Sequence, residues 1–242
     1  MQRTRGFPAL FLALAASACA PDRIEPGPVP ETVPAAPKLV SFETADGGLV
    51  YGDLYGVGDH GVVLAHGGKF DKESWAKQAQ VLASSGFRVL AIDLRGYGSS
   101  RAGTQTGTAY DGFPLDVLAA VRFLRGSGTT SVSVVGASLG GGAAAEASVT
   151  ASPGEIDRLV LLAHSPIEHP ERMQGRKLFI VCKDDLNADA SPRLAGIHEQ
   201  YERAAEPKEL VILECSAHAQ FIFDTDQGER LLQEIVRFLS AP

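Results

Sequence analysis

The chain has 242 residues, 45% hydrophobic and 21% charged, a composition that suits one folded domain with a sizeable core. Its 22 basic and 29 acidic side chains leave a formal net charge of −7, and no basic cluster stands out to neutralise phosphates, which argues against a nucleic-acid-binding role. The three cysteines form no C-x-x-C pair and the six histidines no H-x-x-x-H pair, so metal-ligand spacing is absent and no cofactor is expected.

Arg3 and Arg5 make a short positive start, followed by an apolar run over residues 7–18. That run is too short to span a bilayer and suits the core of a signal peptide. It ends Ala16-Ser17-Ala18-Cys19, which resembles a bacterial lipoprotein signal, in which the cysteine is lipidated and becomes the first mature residue. Ala16 departs from that pattern, where Leu is commonest, and ordinary cleavage after Ala18 is the alternative. Either route implies export, to a periplasmic or cell-surface location. Ala20 is not Asp, so the familiar inner-membrane retention signal is missing. Residues 19–37 carry prolines at 21, 26, 28, 30, 34 and 37. Such a stretch favours extended, polyproline-like shapes and reads as a tether between an anchor and a domain. The expected organisation is a signal peptide over residues 1–18, a tether over 19–37 and one domain over 38–242.

Within that domain, residues 38–44 and 49–55 read as strands joined at Asp46-Gly47-Gly48, a hairpin signal. Val62-Val63-Leu64-Ala65 is a buried apolar strand running into His66-Gly67-Gly68. Residues 72–85 read as a helix with Trp75, Ala79 and Leu82 on one side and Gly86 as its closing glycine. A strand over 87–92 precedes Asp93-Leu94-Arg95-Gly96-Tyr97-Gly98-Ser99-Ser100, and residues 111–125 read as a helix closed by Gly126. Strands are predicted over 159–163, 177–182 and 209–213, with a helix over 192–204. A final amphipathic helix over 229–239 places Leu231, Leu232, Ile235, Val236 and Leu239 inward. Strands alternating with helices imply an α/β fold, a mostly parallel sheet covered on both faces. Ligands in such sheets bind beyond the C-terminal strand ends.

The most informative stretch is Val134-Val135-Gly136-Ala137-Ser138-Leu139-Gly140. It matches G-x-S-x-G, the pattern of a nucleophile elbow. The β-branched run over 131–135 before it reads as a buried strand, and the alanine-rich run over 143–147 after it reads as a helix. A serine on such a turn needs small neighbours so that strand and helix approach closely, and Gly136 and Gly140 supply that room. The turn also aims the Leu139 N–H at the point where the serine reacts, as half of an oxyanion hole.

A serine hydroxyl needs a base, and the base needs an orienting acid. His218 follows the last predicted strand, where a loop leans over the sheet edge, and is the best base. Lys183-Asp184-Asp185 follows the strand at 177–182. Either carboxylate could serve; Asp185 is preferred because it lies farther out on the loop. His66 is expected to shape the oxyanion loop and His164 to line the pocket, while His60, His169 and His198 read as surface positions. The order Ser138, Asp185, His218 is that of α/β-hydrolases, and differs from those of chymotrypsin-like and subtilisin-like proteases.

Taken together, these motifs resemble the α/β-hydrolases of the dienelactone-hydrolase-like or small serine-esterase kind, over residues 40 to 240. The resemblance implies an oxyanion hole made of the Leu139 N–H and one from Gly68, with Lys69 as the alternative second donor. It implies a serine hydrolase acting on small-molecule carboxylic esters, with a thioesterase, a small peptidase or a catalytically silent binding module as alternatives. A serine at the elbow points away from the dehalogenase and epoxide-hydrolase branches, which use Asp there. Residues 164–176 are too few for a multi-helix lid, so no sizeable cap is expected. The family pattern also sets the strands that end near Cys182 and Cys215 side by side, so that in-register pairing would let the two thiols meet as a disulfide, which export permits.

Overall fold

A computed structural model of the chain describes Gln2, residues 36–104 and residues 108–241. The rest of the leader, the tether up to residue 35, and with them Cys19, lie outside the described residues.

Eight strands form one sheet: β1 (Lys38–Glu43), β2 (Leu49–Tyr55), β3 (His60–Ala65), β4 (Phe87–Ile92), β5 (Ser131–Ala137), β6 (Arg158–Leu162), β7 (Arg176–Cys182) and β8 (Lys208–Leu213). Their order is β1-β2-β4-β3-β5-β6-β7-β8. The first two strands are an antiparallel hairpin, and β2 lies antiparallel to β4; every later pairing is parallel. The helices are α1 (Ala76–Ser84), α2 (Ala109–Gly126), α3 (Leu139–Thr150), α4 (Arg193–Arg203) and α5 (Gly228–Ser240). The central strands are buried along nearly their whole length. This burial is why they read as continuous apolar runs rather than alternating ones.

Register decides where the chemistry gathers. Ala65 pairs with both Ile92 and Gly136, Ala137 with Leu162, Leu162 with Ile180, and Cys182 with Leu213. The strands therefore end nearly level, and the segments after them share one edge of the sheet. The connection from Leu162 to Arg176 carries one short 3-10 turn, Pro170–Arg172, and no α-helix.

Several boundaries depart from the sequence expectation. The helix predicted over 72–85 opens as a 3-10 turn, Lys72–Trp75, capped by Asp71, before α1 begins. Gly126 lies inside α2, and the closing glycine is Gly128, with φ 94°. Helix α3 starts at Leu139 rather than in the alanines. Its glycines are helical because packing demands them: a Cβ on Gly140 would lie 2.5 Å from the His66 carbonyl oxygen. In α5, Phe238 joins Leu231, Ile235 and Leu239 in the core, while Leu232 and Val236 are only half-buried.

Buried charge fixes the segment after β4. The Arg95 guanidinium bonds Asp116 on α2 at 2.8 Å and Asp46 in the β1–β2 turn at 2.7 Å. The same guanidinium holds the Asp46 carboxyl well below the usual carboxylate range.

Cys182, at the end of β7, and Cys215, just past β8, are joined in a disulfide that closes a separation of 33 residues. Replacing both with serine should lower stability by about 3–4 kcal/mol, through the freedom returned to the unfolded chain. Urea unfolding of the double variant beside the wild type measures this, and coincident midpoints would show that the bridge contributes nothing.

Candidate active site

The turn between β5 and α3 holds Ser138 at φ 50°, ψ −112°. A non-glycine residue rarely adopts such angles unless its surroundings impose them. Here they do. A Cβ on Gly136 would lie 2.7 Å from the Gly141 Cα, and the Gly140 N–H donates to the His66 carbonyl at 3.1 Å. The Ser138 N–H donates to Leu162 at 2.9 Å, and its carbonyl accepts from Gly142 and Ser165, both at 3.0 Å. The backbone is tied on both sides, and the half-buried side chain is left facing the cleft.

Ser138 Oγ lies 2.8 Å from His218 Nε2, and His218 Nδ1 lies 2.8 Å from Asp185 Oδ2. Carboxylate oxygens accept, so the ring carries its hydrogen on Nδ1 and leaves Nε2 free to accept from the serine hydroxyl. Of the two adjacent acids, Asp185 is buried to 1% exposure and meets the imidazole, while Asp184 is exposed. The Asp184 N–H donates to the Cys215 carbonyl at 3.0 Å. Together with the disulfide, that bond ties the loop carrying Asp185 to the loop carrying His218.

Leu139 and Gly68 both line the cleft with Ser138, and no group among the described residues takes either backbone N–H. Gly67, by contrast, has its N–H occupied by Gln220 Oε1 at 2.7 Å. Gly68 lies against Leu139, since a Cβ there would be 3.6 Å from Leu139 Cδ2. The Tyr97 hydroxyl donates to the Gly68 carbonyl at 3.0 Å and steadies this loop. His66, fully buried, shapes the loop as expected. Its Nε2 accepts from the Leu94 N–H at 3.2 Å and its Nδ1 donates to the Gly67 carbonyl at 2.9 Å. Burial pushes its pKa down, which keeps the ring in the neutral form that this pattern requires.

Three contributors carry no local sequence signal. Gln220 links the loop carrying His218 to the Gly67–Gly68 loop, bonding Gly67 through Oε1 and Ser74 Oγ through Nε2 at 2.8 Å. Arg193 sets its Nε 3.3 Å from Asp185 Oδ2, a positive charge beside the acid. Tyr97 lies in a glycine turn that by resemblance is structural and to which no chemistry is attached. Among the described residues no cluster of His, Cys, Asp and Glu could hold a metal ion.

His164 departs from expectation. It does not line the cleft; the neighbouring Ser165 does. His164 is fully buried under α3, edge-on to Phe179 with 5.5 Å between ring centroids. Gly141 admits it, since a Cβ there would lie 2.7 Å from the His164 Cβ.

With the geometry in place, comparison with known proteins adds the following. Residues 62–179 match the family model for the alpha/beta hydrolase fold. A non-heme chloroperoxidase of Streptomyces lividans is 31% identical over 186 residues, a match spanning 76% of this chain and 58% of that protein. The chain thus spans less than two thirds of that relative's length. Among solved structures, an esterase of Pyrococcus furiosus superposes with a TM-score of 0.70 at 19% identity, covering 84% of this chain and 91% of that one. A dienelactone hydrolase of Anabaena variabilis superposes with a TM-score of 0.65 at 22% identity, covering 84% and 96%. At such identities the two structures speak for the fold.

Burial pushes the His164 imidazole from 6.5 down to about 4. Between those values the unfolded chain binds a proton that the folded protein refuses. The folded state is therefore at full strength above about pH 6.5 and weakens as pH falls towards about 4, by about 3 kcal/mol for this group. Urea unfolding at about pH 7.5 and about pH 4 should show the His164→Gln variant losing less stability on acidification than the wild type, by about that amount. Equal losses would contradict the assignment.

Proposed function

This chain belongs to the α/β-hydrolase superfamily, and on that premise we propose that it is a serine hydrolase cleaving carboxylic esters through an acyl-enzyme on Ser138. The observation that carries the reading is the unbroken line from Ser138 Oγ through His218 to Asp185, with both hydrogen bonds at 2.8 Å, standing on a strained elbow.

The chemistry follows from those positions. Ser138 Oγ attacks the ester carbonyl carbon while His218 Nε2 takes the hydroxyl proton. Asp185 holds the imidazole in the required tautomer and stabilises the imidazolium that forms. The carbonyl oxygen, now negative, is met by the N–H groups of Leu139 and Gly68, which need no rearrangement to receive it. Collapse breaks the bond to the alcohol oxygen, and the alcohol leaves with the proton that His218 returns. A water molecule then gives a proton to Nε2 and attacks the acyl carbon. The bond from the acyl carbon to Ser138 Oγ then breaks, Oγ takes the proton back from His218 Nε2, and the carboxylic acid departs.

The same proposal places the protein outside the cytoplasm, tethered through a lipidated Cys19. It is supported by the short apolar leader ending Ala16-Ser17-Ala18-Cys19. The Cys182–Cys215 disulfide is a bond that oxidising compartments sustain. The substrate is a small-molecule ester, reached through a cleft of about 550 Å³ whose walls include Tyr97, Leu186 and Phe221.

Kinetics on p-nitrophenyl butyrate test the roles separately. Ser138→Ala should lower kcat by about 10⁴-fold or more. Asp185→Asn should lower it by about 10³–10⁴-fold, because the amide favours the wrong imidazole tautomer. Asp184→Asn should stay within about twofold of wild type, as an exposed side chain away from the imidazole would. Equal losses at the two acids would refute the assignment of Asp185.

A further inference from the structure

Beside the cleft that holds Ser138 runs a second, larger cavity of about 640 Å³. Its long walls are two helices. From α3 it takes Leu139, Gly142, Ala143, Glu146 and Thr150, which lie on one helical face. From α2 it takes Phe113, Pro114, Leu118 and, farther along, Arg122. Tyr110, Leu139 and Ser165 line both this cavity and the cleft. The two spaces therefore meet at the residue that follows the serine.

We propose that this groove receives the acyl chain of the substrate and selects medium-chain aliphatic acyl groups. The inference rests on the reading of Ser138 as the acylated residue and adds to it the substrate class. A chain attached to the reacting carbonyl is the occupant that fits a groove joined to the cleft beside the reacting serine. The wall next to that serine is mostly apolar: Leu139 and Ala143 on one side face Phe113, Pro114 and Leu118 on the other, with Asp111 and Ser165 as the polar residues at that end. It turns charged at Glu146 and Arg122, and Arg122 Nε bonds Glu155 at 2.7 Å. Seven residues of helix separate Leu139 from Glu146, which is about 10 Å of axial length and matches a medium-chain acyl group rather than an acetyl or a palmitoyl. Where that wall ends, a longer chain would meet charge and water. The mouth of the cleft agrees with an apolar substrate. Tyr110, Leu186 and Phe221 line it, and they are 70%, 53% and 42% exposed; the Phe221 ring packs on Phe70 and the Tyr110 ring on Phe113, each leaving apolar surface open to solvent.

Chain-length profiles of the full protein test this, using p-nitrophenyl esters of acetic, octanoic and hexadecanoic acids. The wild type should show a kcat/KM about tenfold or more higher on octanoate than on acetate, with hexadecanoate below octanoate. Two substitutions narrow the groove from opposite walls: Leu115→Trp, from a half-buried position on α2, and Ala143→Leu on α3. Each should lower the octanoate-to-acetate ratio by about tenfold, a change that a general loss of folded protein would not produce. If the wild type prefers acetate, or if both variants cleave acetate and keep the wild-type ratio, the groove assignment is overturned and the esterase reading stands. A wild type that cleaves none of the three esters would overturn both.

Discussion

Everything at the sheet edge depends on how closely α3 can approach the end of β3. The elbow is strained, with Ser138 at φ 50°, and strain of this kind persists only where surrounding contacts outweigh it. The contacts are backbone ones. Gly136 packs against Gly140 and Gly141, Gly140 packs against Ala65 and His66, and the Gly140 N–H bonds the His66 carbonyl. Adding a single Cβ at either glycine would push the helix away from the sheet. The first turn of α3 would then no longer present the Leu139 N–H beside the hydroxyl. The small residues of the elbow are thus a packing requirement that the chemistry inherits.

The other half of the site comes from a different part of the chain and is held by different forces. Asp185 and His218, the proposed acid and base, stand on loops after β7 and β8, and loops are mobile unless tied down. Here they are tied at three levels. The disulfide joins the end of β7 covalently to the loop after β8, the Asp184–Cys215 backbone bond aligns the two loops, and Gln220 anchors the loop carrying His218 to Gly67 beside the elbow. A 2.8 Å alignment at both His218 nitrogens is the result. Buried groups complete the frame: neutral His66 under the Gly67–Gly68 loop, and Arg95 clamped between Asp46 and Asp116 behind it.

What was legible in the sequence was local or periodic. The buried strands showed as apolar runs, the elbow as a motif with the right flanks, and His218 and Asp185 as polar residues just past strand ends. The thiols could be paired only because the family pattern sets their strands side by side. What was not legible involves partners distant in sequence. Gln220 reads as an ordinary loop amide until folding brings it to Gly67, 153 residues away. Tyr97 reads as part of a turn until its hydroxyl meets Gly68, and Arg193 as a helix residue until it faces Asp185. The first turn of α3 carries no helical signal of its own, because glycine is a poor helix former; tertiary packing overrides that preference. His164 looked like a pocket residue because it follows a strand, yet its ring turns into the core where Gly141 leaves space. The groove between α2 and α3 depends on the spacing of two helices, which no local pattern encodes.

The central claim is that Ser138 is the nucleophile and that the fold activates it through His218. Treatment of the protein with a fluorophosphonate, followed by peptide mapping, addresses both halves at once. The account predicts one stoichiometric adduct, on Ser138, formed rapidly in the wild type and not in a His218→Ala variant that retains its fold. An adduct on another residue, no adduct at all, or labelling of Ser138 at the wild-type rate without His218 would contradict it.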